Sequence, residues 1–194
     1  MEFVSKSKIK LDRELSDLDN FTLDFLKILE PHSKYVIISG YVAILLGRSR
    51  ASEDIDLIVP KLNFISFKAL CKELYANDFY CLNTDDYKEA YDYLKNNVSV
   101  RFAKKDTIIP NMEVKFVKTP FDELALSRPI EIMVKDKQII ISCLELQIAF
   151  KEQVLKSPKD LEDAQHIRAV AYGHLSNELI KKYAVMLNEF YFGK

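Results

Sequence analysis

The chain of 194 residues is long enough for one domain with a sizeable core, since 48% of its residues are hydrophobic and 29% are charged. The formal net charge of −1 excludes an overall electrostatic attraction to nucleic acid or to an anionic membrane. No apolar run approaches the roughly 20 residues of a membrane span, the N-terminus lacks a signal-peptide pattern, and three scattered cysteines predict reduced thiols, so we expect a cytoplasmic protein.

Apolar periodicity predicts alternating helices and strands through the first half of the chain. Apolar residues at three- and four-residue spacing predict an amphipathic helix over residues 14–30. The β-branched run over 35–39 predicts a short buried strand, and the segment over 41–47 predicts a two-turn helix. Four further elements are predicted, in chain order: a strand over 54–59, a helix over 62–76, a short strand over 79–82 and a helix over 85–94.

The second half contains alternating strand patterns followed by well-marked helix starts. Strands are predicted over 98–102 and 112–117, and a hairpin or edge pair over 130–142. Three segments place Ser or Thr at a helix cap with an acid three residues later: TPFD at 119–122, SCLE at 142–145 and SPKD at 157–160. The last helices are predicted over 143–156, 158–172 and 176–191.

The order of these elements predicts an α+β fold. We expect residues 1–142 to form an α/β core, a mixed sheet flanked by helices that includes the N-terminal helix. We expect residues 143–194 to form a C-terminal helical bundle packed against that core as part of one compact unit.

Two acidic residues, Asp54 and Asp56, interrupt an otherwise apolar strand. Because side chains at i and i+2 point to the same side of a strand, both carboxylates lie on one face. Adjacent carboxylates repel each other, and a divalent cation relieves that repulsion. Mg²⁺ usually binds through one or two carboxylates together with substrate phosphates. The pair therefore predicts a Mg²⁺ (or Mn²⁺) site, with a solvated strand face as the alternative.

A third metal ligand is predicted at Glu113, in the strand pattern over 112–117. Both of its neighbours are apolar, so Glu113 points away from the core side of its strand. A neighbouring strand could bring it beside the Asp pair. The alternative is a surface residue that pairs with Lys115 or Arg101.

The pair Ser39-Gly40 is predicted to bind phosphate. It lies between a strand and a short helix, where backbone N–H groups form an anion site and glycine permits close approach. An ordinary turn is the alternative. Arg48 and Arg50 precede the Asp pair, so one of them is a candidate partner for phosphate or for an acid, and an ordinary basic turn is again the alternative.

Four segments occur together in a recognisable order. They are, in chain order, Ile38-Ser39-Gly40, RASEDIDL at 50–57, ELQIAFK at 145–151 and KDLED at 159–163. With these segments the chain resembles the nucleotidyltransferase superfamily of the DNA-polymerase-β-like fold, and it is most similar to the minimal prokaryotic branch that includes AbiEii-type toxins. Two departures are Ser39, where the pattern commonly has a first glycine, and Glu113, where Asp is commoner.

The resemblance implies a Mg²⁺-dependent nucleotidyltransferase. An NTP would bind with its phosphates over Ser39-Gly40, and Asp54, Asp56 and Glu113 would hold metal ions and serve as the catalytic carboxylates. Nucleoside monophosphate would pass from the NTP to an acceptor hydroxyl, with release of pyrophosphate. The acceptor could be a tRNA end, a partner protein or a small molecule, and a toxin–antitoxin or defence context with a cognate antitoxin is implied.

The same resemblance gives Arg50 and Lys151 a role in neutralising nucleotide phosphates. For Lys151 the alternative is a solvated helix face. Alternatively, the chain is a catalytically weak nucleotide-binding or regulatory protein on the same fold. The position of the third acid, Glu113, would distinguish this alternative from the enzyme.

Several neighbouring residues have predicted structural roles instead. They are Asp160 and Glu145 as capping partners of Ser157 and Ser142, and Asp163 as an ion-pair partner of Lys159 or Lys151. Tyr41, immediately after the Ser-Gly pair, is predicted either to crowd the phosphate turn or to stack on a base.

Overall fold

The computed structural model describes residues 1–193 and contains a nine-stranded mixed sheet. The strands are β1 Glu2–Ser5, β2 Lys8–Leu11, β3 Val36–Ile37, β4 Asp54–Val59, β5 Phe79–Cys81, β6 Val100–Lys104, β7 Asn111–Phe116, β8 Pro129–Val134 and β9 Lys137–Ser142. Their order across the sheet is β1-β2-β8-β9-β3-β4-β7-β6-β5. Strand β4 therefore lies well inside the sheet, antiparallel to β3 and parallel to β7.

Eight α-helices accompany this sheet within residues 1–193. They are α1 Asp17–Leu29, α2 Gly40–Leu45, α3 Phe64–Ala76, α4 Tyr87–Lys95, α5 Pro120–Ser127, α6 Leu144–Phe150, α7 Pro158–Val170 and α8 Asn177–Phe192. A π-helical turn over Lys151–Leu155 continues α6. Helix α6 packs against both α7 and α8, as expected for a C-terminal helical bundle. The predicted α+β fold, with its mixed sheet and C-terminal helices, is confirmed.

The first helix shows how local sequence and core packing agree. Ser16 accepts a hydrogen bond from the backbone N–H of Asp19, and the Asp19 carboxylate accepts one from the N–H of Ser16, which completes a capping box. Most of the apolar face of α1 is buried, and Phe25 packs edge-on against Phe79 with ring centroids 5.3 Å apart. This contact ties α1 to the sheet edge at β5.

Some element predictions were wrong. The hairpin of β1 and β2 was not predicted, because its residues are mostly polar and exposed and only Ile9 and Leu11 are buried. The SCLE segment does not form a capping box. Ser142 belongs to β9, Cys143 takes the cap position without a side-chain bond, and Glu145 accepts the backbone N–H of Ser176 at 3.1 Å. Pairing with Pro129 of β8 holds the Ser142 backbone in the strand, two residues before the helix begins.

The other two helix starts are as predicted. Thr119 forms a complete capping box with Asp122. Ser157 accepts the N–H of Asp160. Within residues 1–193, no helix combines the length and apolarity that a membrane crossing requires.

Candidate nucleotide-binding site

The strand register brings two of the predicted acids together. Strands β4 and β7 run parallel with Asp56 opposite Glu113 and Asp54 opposite Asn111. Residues that face each other across a strand pair point to the same side of the sheet. The alternation within each strand therefore places Asp54, Asp56 and Glu113 on one face, together with Lys115 two residues beyond Glu113.

Lys115 lies between the two paired acids. Its Nζ is 2.6 Å from Oδ1 of Asp56 and 3.1 Å from Oε1 of Glu113. The second oxygen of Glu113, Oε2, accepts a hydrogen bond from Nε of Arg101 at 3.2 Å. Both oxygens of Glu113 are thus paired with cations, as the alternative interpretation of this residue anticipated, although Glu113 is nearly buried rather than on the surface.

These contacts favour the charged forms of Glu113 and Lys115. Burial acts to raise the pKa of Glu113, but the charge of Lys115 and hydrogen bonds from its neighbours outweigh burial and lower it. Burial acts to lower the pKa of Lys115, but the charges of Asp56 and Glu113 outweigh burial and raise it. The site therefore carries a fixed positive charge between two carboxylates.

The acids fit one Mg²⁺ better than two. Among residues 1–193, no group of three or more His, Cys, Asp or Glu side chains is arranged to hold a metal ion. Asp54 is half-buried, and its carboxylate has no side-chain partner among residues 1–193. Asp54 and Asp56 together match the one or two carboxylates that Mg²⁺ usually takes alongside substrate phosphates. Glu113 could join them only by leaving Lys115 or Arg101.

The predicted phosphate turn has a constrained backbone. Ser39 has φ 69° and ψ −139°, a region that favours glycine, and it immediately precedes α2. Its N–H donates to Oε1 of Gln147 at 3.1 Å, and Nε2 of Gln147 donates to Oγ of Ser142 at 2.5 Å. Gln147 on α6 thus fixes the turn from the helical bundle, a link that the sequence pattern did not reveal.

Gly40 makes room for an arginine. A Cβ built on Gly40 would lie 3.0 Å from each terminal guanidinium nitrogen of Arg50. Nη1 of Arg50 donates to Oδ2 of Asp163 at 2.7 Å. The sequence predicted that Gly40 permits close approach of a phosphate. In the structure, the group that lies close to Gly40 is the Arg50 guanidinium.

Five charged residues form a buried ionic cluster, which we define as Arg48, Arg50, Lys151, Asp160 and Asp163. Asp163 is fully buried and is bound by all three cations. Nζ of Lys151 lies 2.8 Å from Asp163 and 3.4 Å from Asp160, and only 1% of the Lys151 side chain is exposed. The solvated-face alternative for Lys151 is wrong, and the predicted pairing of Asp163 with Lys151 is confirmed.

Tyr41 does not face the candidate site. It is 1% exposed, and its hydroxyl donates to Oδ1 of Asp19 at 2.7 Å. Asp19 is itself fully buried and also binds Arg13 at 2.5 Å. The prediction that Tyr41 crowds the phosphate turn or stacks on a base is therefore wrong, because its ring belongs to the core beneath α1.

A cavity of about 480 Å³ opens between the acidic sheet face and the C-terminal helices. Its wall includes Ser39, Asp56 and Lys115 from the sheet side. The helical side is mainly apolar and aromatic, with Phe121, Phe150, Phe190 and Tyr191. All four rings lie within 6 Å, centroid to centroid, of at least one other ring of the set: Phe121 to Phe190 at 5.5 Å, Phe150 to Tyr191 at 5.9 Å and Phe190 to Tyr191 at 5.0 Å. Their role in a cavity wall was not predicted from the sequence.

Solved structures with a similar fold are nucleotidyltransferases or nucleotidyltransferase-like proteins. One is an antigenic nucleotidyltransferase-like protein from Paracoccidioides brasiliensis, with TM-score 0.51 and 13% identity over 91% of this chain and 90% of that one. The lincosamide antibiotic adenylyltransferase LnuA, bound to lincomycin, gives TM-score 0.51 and 13% identity over 81% and 99%. ANT(2")-Ia in complex with adenylyl-2"-tobramycin gives TM-score 0.58 and 13% identity over 91% and 99%.

No family model and no curated protein matches the sequence. The structural likeness at this identity shows the fold, which is nucleotidyltransferase-like.

Proposed function

We propose that this protein transfers a nucleoside monophosphate from an NTP to an acceptor hydroxyl. The observation that carries the proposal is the register of Asp56 with Glu113 on a nucleotidyltransferase-like sheet, at the wall of a cavity of about 480 Å³. Ser39 lies in the same wall, and its backbone is held in a conformation that few serines adopt. Strain of this kind concentrates at functional sites.

Each predicted residue has a place in this proposal. The NTP phosphates would lie beside Ser39-Gly40, with Asp54 and Asp56 facing them. Mg²⁺ (or Mn²⁺), held by Asp54 and Asp56, would screen the triphosphate charge. Glu113 would hold Lys115 in place and act through it, rather than as a free metal ligand. Arg50 and Lys151 would raise the positive potential behind the turn while remaining in the ionic cluster.

The reaction forms one bond and breaks one. The acceptor oxygen attacks the α-phosphorus, the bond from that phosphorus to the bridging oxygen breaks, and pyrophosphate leaves. The proton of the acceptor hydroxyl passes to the carboxylate of Asp56, which lies in the cavity wall, and from there to solvent. The fixed ammonium of Lys115 stabilises charge on the phosphate oxygens without reorganisation.

The charges in the cavity wall limit the chemical class of acceptor that can bind there. Asp56 is paired with Lys115, and Asp122 is used in the cap of α5, where it accepts the backbone N–H groups of Lys118 and Thr119. Both carboxylates of the wall are thus already paired with donors, which disfavours binding of an amine, so we expect a neutral or anionic acceptor with an apolar ring. The volume is in the range of small-molecule sites. A tRNA end or a partner protein, as in a toxin–antitoxin system, is the other acceptor class within the proposal.

The proposal is tested with NTPs labelled on the α-phosphate, Mg²⁺ and fractions of a cell extract. Transfer of label to a small molecule, RNA or protein identifies the acceptor, and Asp56→Asn should abolish transfer. Transfer that survives Asp56→Asn would show that the carboxylate assignment is wrong. A panel that compares lincomycin with tobramycin, which carries several amino groups, tests the expected rejection of amine-rich acceptors.

A second candidate function is a catalytically weak nucleotide-binding or regulatory protein. The observation in its favour is that both Glu113 oxygens are paired with cations, so that the described residues offer no free third acid beside Asp54 and Asp56. This alternative predicts a thermal shift with NTP and Mg²⁺ but no transfer to any fraction. Absence of both the shift and transfer would contradict both functions.

A further inference from the structure

We propose that the ammonium of Lys115 takes the place of a second metal ion, so that the nucleotide-bound protein holds one divalent cation rather than two. The inference rests on the nucleotidyl transfer proposed above and concerns the same site. It assigns Lys115 as a catalytic residue that contacts the phosphates. Glu113 and Arg101 then become positioning residues, because they act through Lys115.

The position of Lys115 supports this assignment. Its Nζ lies 2.6 Å from one carboxylate and 3.1 Å from the other, where a cation shared by Asp56 and Glu113 would lie. A divalent ion in the same place would face the ammonium at a few ångströms, where like charges repel strongly. Lys115 is also 38% exposed and forms part of the cavity wall, so its Nζ can reach a bound phosphate oxygen.

The surroundings of Glu113 keep the ammonium in place. Glu113 is 12% exposed at its side chain, and its second oxygen accepts from Arg101. Releasing Lys115 would leave that buried carboxylate with one cation, and an under-compensated buried charge is costly. The strand register also favours the arrangement, since Glu113 and Lys115 share one face of β7 beside Asp56.

Only part of the acidic set then remains for a metal. Among residues 1–193, the donors that remain are the carboxylate of Asp54, which has no side-chain partner there, and the Asp56 oxygen that does not contact Lys115. Together with nucleotide phosphates and water, they suffice for one Mg²⁺ or Mn²⁺. A two-metal arrangement, which needs a third free carboxylate, does not match these contacts.

The number of bound ions tests the inference independently of activity. Electron paramagnetic resonance of free Mn²⁺ is followed during titration of the protein saturated with a non-hydrolysable α,β-methylene ATP. The wild type should bind one Mn²⁺ per protein–nucleotide complex. Lys115→Met should bind two, because removal of the ammonium frees the Asp56–Glu113 position. Lys115→Arg should retain one, because the charge remains.

Lys118→Met provides the matched control. Lys118 also belongs to the cavity wall, but it has no ion pair with the two acids, so the ion count should stay at one. Two ions in the wild type, or one in Lys115→Met, would overturn the inference while leaving nucleotidyl transfer intact. Failure of the wild type to bind Mn²⁺ with the nucleotide would instead overturn the proposed function, and the inference with it.

Discussion

Replacing Asp163 by Asn should destabilise the protein severely. Asp163 is fully buried and receives Arg48, Arg50 and Lys151, so the substitution removes the main negative charge of the ionic cluster. Lys151 would then have only Asp160 as a partner, at 3.4 Å, even though its side chain is almost completely buried, with 1% exposed. Removing one partner of a buried ion pair typically costs about 3–5 kcal/mol, because the remaining charge stays buried. For a chain of this size that corresponds to a fall in Tm of roughly 6–20 °C.

Glu162 provides a control on the same helix. It contacts the same Arg48, but its side chain is 65% exposed, so Glu162→Gln should cost only about 0–1 kcal/mol. Both variants are compared with the wild type by urea and thermal unfolding followed by circular dichroism. Equal stability of Asp163→Asn and Glu162→Gln would refute the argument. Loss of NTP binding with unchanged stability would show instead that the ionic cluster serves the nucleotide.

Three further predictions concern the surroundings of the phosphate turn. Burial acts to raise the pKa of Asp19, but hydrogen bonds from its neighbours outweigh burial and lower the pKa to about 2. About 2 kcal/mol of stability should therefore be present above pH 4 and be lost as the pH falls towards 2. Urea unfolding between pH 2 and pH 5 tests this, and a free energy of unfolding that does not change with pH would contradict it. Gly40→Ala should displace the Arg50 guanidinium and lower the stability of the fold by about 1–3 kcal/mol. A double-mutant cycle with Arg50→Ala should show strong coupling between the two substitutions, whereas additive effects would disprove the contact. Tyr41→Phe should lower stability by about 1 kcal/mol and leave NTP affinity unchanged. Weaker NTP binding would contradict the placement of the Tyr41 hydroxyl away from the candidate site.

The identity and order of the site strands could be predicted from the sequence. Strand β4 over Asp54–Val59 is observed as predicted, and the alternation of its acids with apolar residues correctly placed both on one face. The caps at Thr119 and Ser157 were also predictable, because a capping box depends on residues three positions apart. Local periodicity and local hydrogen bonds carry this kind of information.

The partner of each charged side chain was mostly not predictable. That Gln147 binds the backbone of Ser39 depends on contacts 108 residues apart in the chain, and no local pattern encodes that contact. The β1–β2 hairpin was missed for a related reason, since its pairing with the rest of the sheet is made through β8, far along the chain.

By itself the sequence determined the α+β fold, the acidic strand and the Ser-Gly turn before a short helix. Only the tertiary structure decided which charges meet. It placed Lys115 between Asp56 and Glu113, and it buried Lys151 and Arg50 against Asp163. The physical reason is that a buried charge is stabilised by the opposite charge that packing brings close to it. For most of these pairs that partner comes from a different helix or strand, so local sequence does not identify it.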